Sequence, residues 1–242
     1  NSWYNNELQH YTNRLDNTYV SDGTLKIVAK KEMYTDQGHT KEYTSARLNS
    51  KYTFTYGRVE VRAKLPEGVG TWPAIWMLGK NINEPGAYWQ IQGYGTTPWP
   101  QCGEVDIMEH WGGNQNYVQS ALHTPSSYGG TLNHGGQTIP NASTQFNKYS
   151  LEWTPEQMIF SVNDIVHYTY YPSIQNSETW PFDSEQYLLL NIAIESSITS
   201  SFDQGIMEID YVRIYEPSTL SLQTQMTPLN FSLHQNFPNP FN

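Results

Sequence analysis

Three acids fall within six residues of a strand-forming segment, Gly103-Glu104-Val105-Asp106-Ile107-Met108-Glu109-His110-Trp111. No other stretch limits the fold as tightly. Carboxylates interleaved with Val and Ile make a poor core, because burying an unpaired charge is costly. They also make a poor solvent face, since like charges on one side of a strand repel. An array of this kind persists where the charges do chemistry, and paired carboxylates are the usual means of cleaving a glycosidic bond.

Strand parity sharpens the point. Side chains alternate, so Glu104 and Asp106 share a face while Glu109 points to the other. A β-bulge at Met108 returns Glu109 to the side of the first two acids. The outer pair then stands roughly 13 Å apart along the backbone. Two Glu side chains leaning together bring the carboxyl groups to about 5–6 Å, the gap of a retaining glycosidase.

A chain of 242 residues suffices for one large all-β domain or two smaller ones. Its net charge of −10 argues against nucleic acid and anionic membrane surfaces, and disfavours strongly anionic polysaccharides. Cys102 is the single cysteine, so no internal disulfide forms, and it reads as a small packed residue. No apolar run reaches the ~20 residues that span a bilayer. Eight Trp and eighteen Tyr offer flat faces that stack on sugars or fill a sandwich core. Both readings stand at this point.

Strand signals recur and helix signals are scarce. Arg58 to Leu65 alternates charged and apolar for eight residues, the cleanest half-buried strand. Further strands are expected at Thr24 to Ala29, Val118 to Leu122, Tyr149 to Trp153, Met158 to Val162, Ile165 to Tyr170, Tyr187 to Ile194 and Met207 to Tyr215. Many strands punctuated by Gly, Pro and Asn indicate a two-sheet sandwich or a barrel. Two stretches, Gly79 to Gln101 and Thr124 to Ser143, read as long loops. Loops of that length inside a domain are often functional, and the first, running into the acidic motif, is expected to wall a cleft.

The chain opens at Asn1-Ser2-Trp3 without Met, which reads as a processed or truncated terminus. Composition changes near Pro217. Residues 1–217 form the expected catalytic domain, and 218–242 a polar linker ending Asn236-Phe237-Pro238-Asn239-Pro240-Phe241-Asn242. That tail resembles the start of the C-terminal sorting domain of the type IX secretion pathway, which implies a bacterial protein, secreted or held at the cell surface.

The central chain resembles glycoside hydrolase family 16, in particular its bacterial endo-β-1,3-glucanases. Six blocks besides the acidic motif carry the likeness. They are Asn5-Asn6-Glu7-Leu8-Gln9, Tyr43-Thr44-Ser45-Ala46-Arg47, Tyr56 to Arg62, Trp72-Pro73-Ala74-Ile75-Trp76-Met77-Leu78, Leu190-Asn191-Ile192-Ala193 and Ile209 to Tyr215. The resemblance implies an all-β jelly-roll sandwich of two antiparallel sheets with a concave substrate cleft. It implies Glu104 as nucleophile, Glu109 as acid/base and Asp106 beside the nucleophile, with no cofactor in catalysis. A monomer acting on β-glucan is expected, without nucleic acid and without membrane insertion.

The same likeness places Trp72 and Trp99 at the donor subsites, Asn6 and Arg47 on sugar hydroxyls, and His123 facing the acid/base. Three of these have a plainer alternative: a core cap for Trp72, an ion pair for Arg47, a satisfied core imidazole for His123, whereas Trp99, before a Pro on a loop, favours an exposed platform. Trp76 and Trp111 stand open between cleft and core. A structural calcium would sit on Asp210 and the Gly23 carbonyl. The family's usual Gly-Gly-x-Trp after Ala193 is replaced by Ile194-Glu195-Ser196-Ser197-Ile198. An agarase, carrageenase or transglycosylase of the same family, or a non-catalytic glucan-binding lectin, remain as alternatives. Arg14, Arg47, Lys51 and Lys80 are few cations for a sulfated substrate.

Overall fold

The structure is a computed structural model describing residues 4–217 and 227–228. In chain order its strands are β1 (Gln9–Tyr11), β2 (Thr18–Ser21), β3 (Thr24–Asp36), β4 (His39–Ser45), β5 (Arg47–Phe54), β6 (Gly57–Lys64), β7 (Thr71–Gly79) and β8 (Glu104–Glu109). There follow β9 (Tyr117–His123), β10 (His134–Thr138), β11 (Asn147–Trp153), β12 (Met158–Val162), β13 (Ile165–Tyr170), β14 (Gln186–Ile194), β15 (Gln204–Glu216) and β16 (Thr227–Pro228). One four-residue helix, α1 (Tyr88–Ile91), lies in the first long loop.

Two sheets stack as expected. The larger runs β1-β4-β3-β15-β6-β11-β12-β13, with β2 on β3 and β16 on β15; the smaller runs β10-β9-β8-β7-β14-β5. Apolar side chains from both fill the space between them, among them Ile27, Val61, Ile75, Val105, Met108, Leu122, Trp153, Leu190 and Met207. Every residue of β14 is buried, including the polar Gln186 and Asn191, so the strand lies inside its sheet between β7 and β5 and is shielded on both faces.

Two departures from the sequence reading stand out. The sheets are antiparallel except at one edge, where β1 runs parallel to β4. Its connection to β4 is long, so no tight turn dictates the direction. The second long loop contains β10, in which Gly135 and Gly136 hide the periodicity. A Cβ on Gly135 would come within 2.8 Å of the Tyr168 ring, and one on Gly136 within 2.4 Å of the Val118 carbonyl oxygen. The residues that pair here are therefore the ones that carry no pattern.

The first described residues join the two sheets. β1 pairs with β4 of the larger sheet, while Leu8 and Gln9 bond Ile194 at the end of β14: Leu8 N–H donates to the Ile194 carbonyl at 2.9 Å, and Ile194 N–H to Gln9 Oε1 at 2.7 Å. The expected boundary near Pro217 follows β15 directly. The tail read as a sorting signal lies outside the described residues.

Candidate active site

The acids come together because β8 breaks its register. Against β7, Ile75 pairs with Met108 and Trp76 with Asp106, leaving Ile107 as the added residue. Against β9, Asp106 faces Ala121 and Glu109 faces Gln119, so one residue, Ser120, opposes both Ile107 and Met108. The bulge is thus shared by Ile107 and Met108 rather than confined to Met108. Both are buried in the core, at 2% and 0% exposure, and Glu109 emerges on the concave face with Glu104 and Asp106.

Directly opposed residues in a sheet share a face. Register therefore lines the cleft floor with Trp72, Ala74 and Trp76 of β7, the three acids of β8, Gln119 and His123 of β9, and Asn191 of β14. Each outer acid is held by an indole. Trp99 Nε1–H donates to Glu104 Oε2 at 3.0 Å, and Trp72 Nε1–H to Glu109 Oε1 at 3.1 Å. His123 Nε2 lies 3.3 Å from Asp106 and 3.5 Å from Glu104. It faces the first two acids, where the resemblance implied the acid/base.

Burial pushes all three carboxyl groups above the ordinary carboxylate range. For Glu104 and Glu109 the charge of Asp106 adds to the rise, while His123 and the two indoles pull back. Three acids this close share protons, and their titrations belong to the set. One member can stay protonated near neutrality while another is ionised, which is what acid and nucleophile require.

Around this centre the aromatic residues divide. Trp72 stacks on Trp111, ring centres 5.8 Å apart and 26° from parallel, which links Trp111 to Glu109 through Trp72. Trp99 is exposed, packed at its edges against His123 and Tyr128. Trp76 donates to Asn191 Oδ1 at 2.7 Å and lies under the Arg47 guanidinium.

Arg47 takes the ion-pair alternative. Glu84, from the first long loop, grips it through Nη1 and Nη2, each at 3.1 Å. The pair is nearly buried, and Arg47 Nε has no partner. Asn6 is exposed on a groove that Glu7, Lys41 and Tyr43 also line. Its neighbour Glu7 accepts from Tyr11, whose hydroxyl in turn accepts from Asn191 in the cleft. Glu84, Tyr11, Tyr128 and Gln119 went unnoticed in the sequence: each is a common residue type in a segment without a motif. Cys102 is fully buried, its thiol pushed up to about 12 by that burial, and it packs as expected.

The calcium position fares differently. Gly23 turns the β2–β3 hairpin at φ +76°, and Asp210 sits exposed at a register shift in β15, its carboxylate paired with Arg62. Calcium takes six to eight oxygens. One carboxylate already balanced by a guanidinium and one carbonyl do not fit that requirement. Among the described residues, the group of three potential metal ligands is Glu104, Asp106 and His123, at the acid cluster itself.

Comparison with known proteins agrees with this geometry. The family described as glycosyl hydrolases family 16 matches residues 5–213. The chain belongs to that family. It is a glycoside hydrolase with the family's jelly-roll sandwich. Among curated relatives, the "Beta-glucanase" of Rhodothermus marinus is 39% identical over 231 residues, covering 88% of this chain and 75% of the relative. Among solved structures, a LamA variant from Z. galactanivorans in complex with laminaritriose and laminaritetraose is 50% identical. It superposes with a TM-score of 0.81, covering 89% of this chain and 87% of that one. The laminarinase of Rhodothermus marinus has a TM-score of 0.76 at 38% identity, covering 88% and 86%.

Proposed function

We propose that this family 16 enzyme hydrolyses internal β-1,3-glucosidic bonds of laminarin-type β-glucans with retention of configuration, accepting mixed β-1,3/1,4 linkages as a secondary substrate. The observation that carries the reading is the bulge of β8, which sets Glu104 and Glu109 on one face, each on its own indole. The laminari-oligosaccharides bound by the 50%-identical relative point to the same substrate class.

Glu104 attacks the anomeric carbon and forms a glycosyl ester as the C–O bond to the leaving sugar breaks. Glu109 gives its proton to the departing oxygen. Water then enters, loses a proton to the Glu109 carboxylate and bonds to the anomeric carbon, releasing Glu104 as a carboxylate. Asp106, between them and next to His123, biases the protonation of Glu104. Trp72, Trp99, Trp111 and Trp76 supply flat faces for the sugar rings, and the indole N–H groups of Trp72, Trp99 and Trp76 hold Glu109, Glu104 and Asn191 rather than the sugar.

The cation ledger supports a neutral polymer over a sulfated one. Arg14 is paired with Glu32, Arg47 with Glu84 and Lys80 with Glu185, so three of the four cations considered are already balanced. On this reading the enzyme works outside the cell or on its surface, where a polysaccharide too large for uptake is met, and acts as a monomer. A lectin role would leave the acid triad without a task.

The test is product analysis on laminarin, lichenan and agarose, with the anomer followed by proton NMR. Short β-1,3-linked oligosaccharides released first as the β-anomer support the reading. Release of the α-anomer, or turnover of agarose alone, overturns it. Glu104→Ala, inactive with water, should form an α-glycosyl azide from an activated aryl glycoside once azide is supplied.

A further inference from the structure

The bulge that brings Glu109 onto the acid face is supported from the opposite sheet. Ser120, on β9, is the residue facing Ile107 and Met108 of β8, and it is fully buried, pointing into the core. Its Oγ–H donates to the Ile107 carbonyl at 2.7 Å. The same oxygen lies 2.9 Å from Nε2 of His167. Ser120 has one hydroxyl proton and spends it on Ile107, so at the second contact it must accept. That fixes the imidazole as the tautomer protonated on Nε2.

His167 reaches this point by a bulge of its own. On β13, Tyr168 pairs with Phe160 and Val166 with Ser161, leaving His167 as the added residue. An unbroken strand would alternate Val166, His167 and Tyr168 across its two faces. The extra residue instead lets His167 and Tyr168 both meet the smaller sheet, Tyr168 against Gly135 and His167 against Ser120. Nδ1 of His167 is buried without a partner. Burial holds its pKa down, to about 4. A neutral imidazole with one N–H and one acceptor is what the contact requires.

A bulge residue has left the regular ladder, and its carbonyl needs a partner from elsewhere. We propose that His167 and Ser120 are positioning residues for Glu109: two facing bulges joined by an imidazole–hydroxyl–carbonyl relay fix where the acid/base emerges. His167 touches neither substrate nor acid. It acts through Ser120 on the backbone two residues before Glu109.

The proposal rests on Glu109 being the acid/base, so the test pairs laminarin with a dinitrophenyl β-glucoside oligomer, whose leaving group needs no proton, assayed with azide, which needs no base. Ser120→Ala and His167→Leu should lower kcat on laminarin about tenfold or more, the cost of a small misplacement of a reacting group. KM should hold, and azide-assisted turnover of the aryl substrate should change far less. His167→Gln, whose amide N–H occupies the Nε2 position, should restore most of the laminarin activity. Equal losses on both substrates, no loss, or failure of Gln to restore activity overturns the relay. Should His167→Leu fail to fold, Ser120→Ala, which removes one oxygen, decides the matter with His167→Gln. Glu109→Ala run alongside separates the two readings. If it shows the substrate-selective loss and the relay variants do not, only the relay falls; if it does not, the acid/base reading falls first.

Discussion

Trp99 and Glu104 are joined by an indole N–H donating to a carboxylate oxygen at 3.0 Å, from a loop residue to a strand residue five positions on. The donor favours the ionised carboxylate. It offsets part of the rise that burial and Asp106 impose on Glu104.

Trp99→Phe keeps a flat ring and removes that donor. Glu104 should then titrate higher, moving the acidic limb of kcat/KM against pH to higher pH. The maximum should fall by about tenfold, the worth of one hydrogen bond to a charged group. The measurement is a pH–rate profile on laminarin; an unmoved acidic limb refutes the assignment.

The acid cluster also costs stability. A carboxyl group whose folded pKa lies above its unfolded one binds its proton more tightly when folded. Its stabilising effect is complete below the unfolded pKa, 3.8 for Asp and 4.5 for Glu, and is lost as pH rises through the folded value. Asp106→Asn removes one such group. Its Tm should exceed that of the wild-type protein at about pH 8 and by a smaller margin at about pH 4. Calorimetry at both values checks the sign.

Arg47 and Glu84 form a nearly buried, two-pronged pair. Glu84→Gln leaves the guanidinium charge in place without its counter-charge and should destabilise by about 3 kcal/mol, read from urea unfolding. Arg47→Met with Glu84→Gln should recover a good part of that loss. A single-variant cost near zero would show the pair is solvated.

Gly136 and Gly135 of β10 make a graded comparison. At Gly136 an added methyl meets the Val118 backbone, at Gly135 the Tyr168 side chain. Side chains yield more readily than backbone, so Gly136→Ala should cost more, with overpacking penalties of about 1–3 kcal/mol. A reversed order in thermal denaturation would contradict the packing described.

Much of the sandwich was legible in the sequence because exposed and buried positions alternate. β12 and β13 have the bounds expected, β6 is shifted by one residue at each end, and β11 starts two residues earlier. The acid cluster could be read because three charges in an apolar strand admit few explanations. β10 could not, since glycines chosen for the approach of Tyr168 and Val118 leave no pattern. Nor could the fate of Arg47, which depends on a lone Glu84 brought in by a loop. Ser120 and His167 escaped for a related reason: each is ordinary alone and becomes informative only when two irregular strands face each other.

The opening segment, bonded to β4 on one side and to Ile194 on the other, works as a clasp across the mouth between the sheets. A protease cut near Tyr11 would therefore weaken the segment's hold on both layers at once, and with it the bonds to the end of β14, beside the strand that bears Trp72 and Trp76. Fusion partners or tags attached close to that end pull on the cleft itself, whereas the same load beyond β15 pulls only on the outer wall.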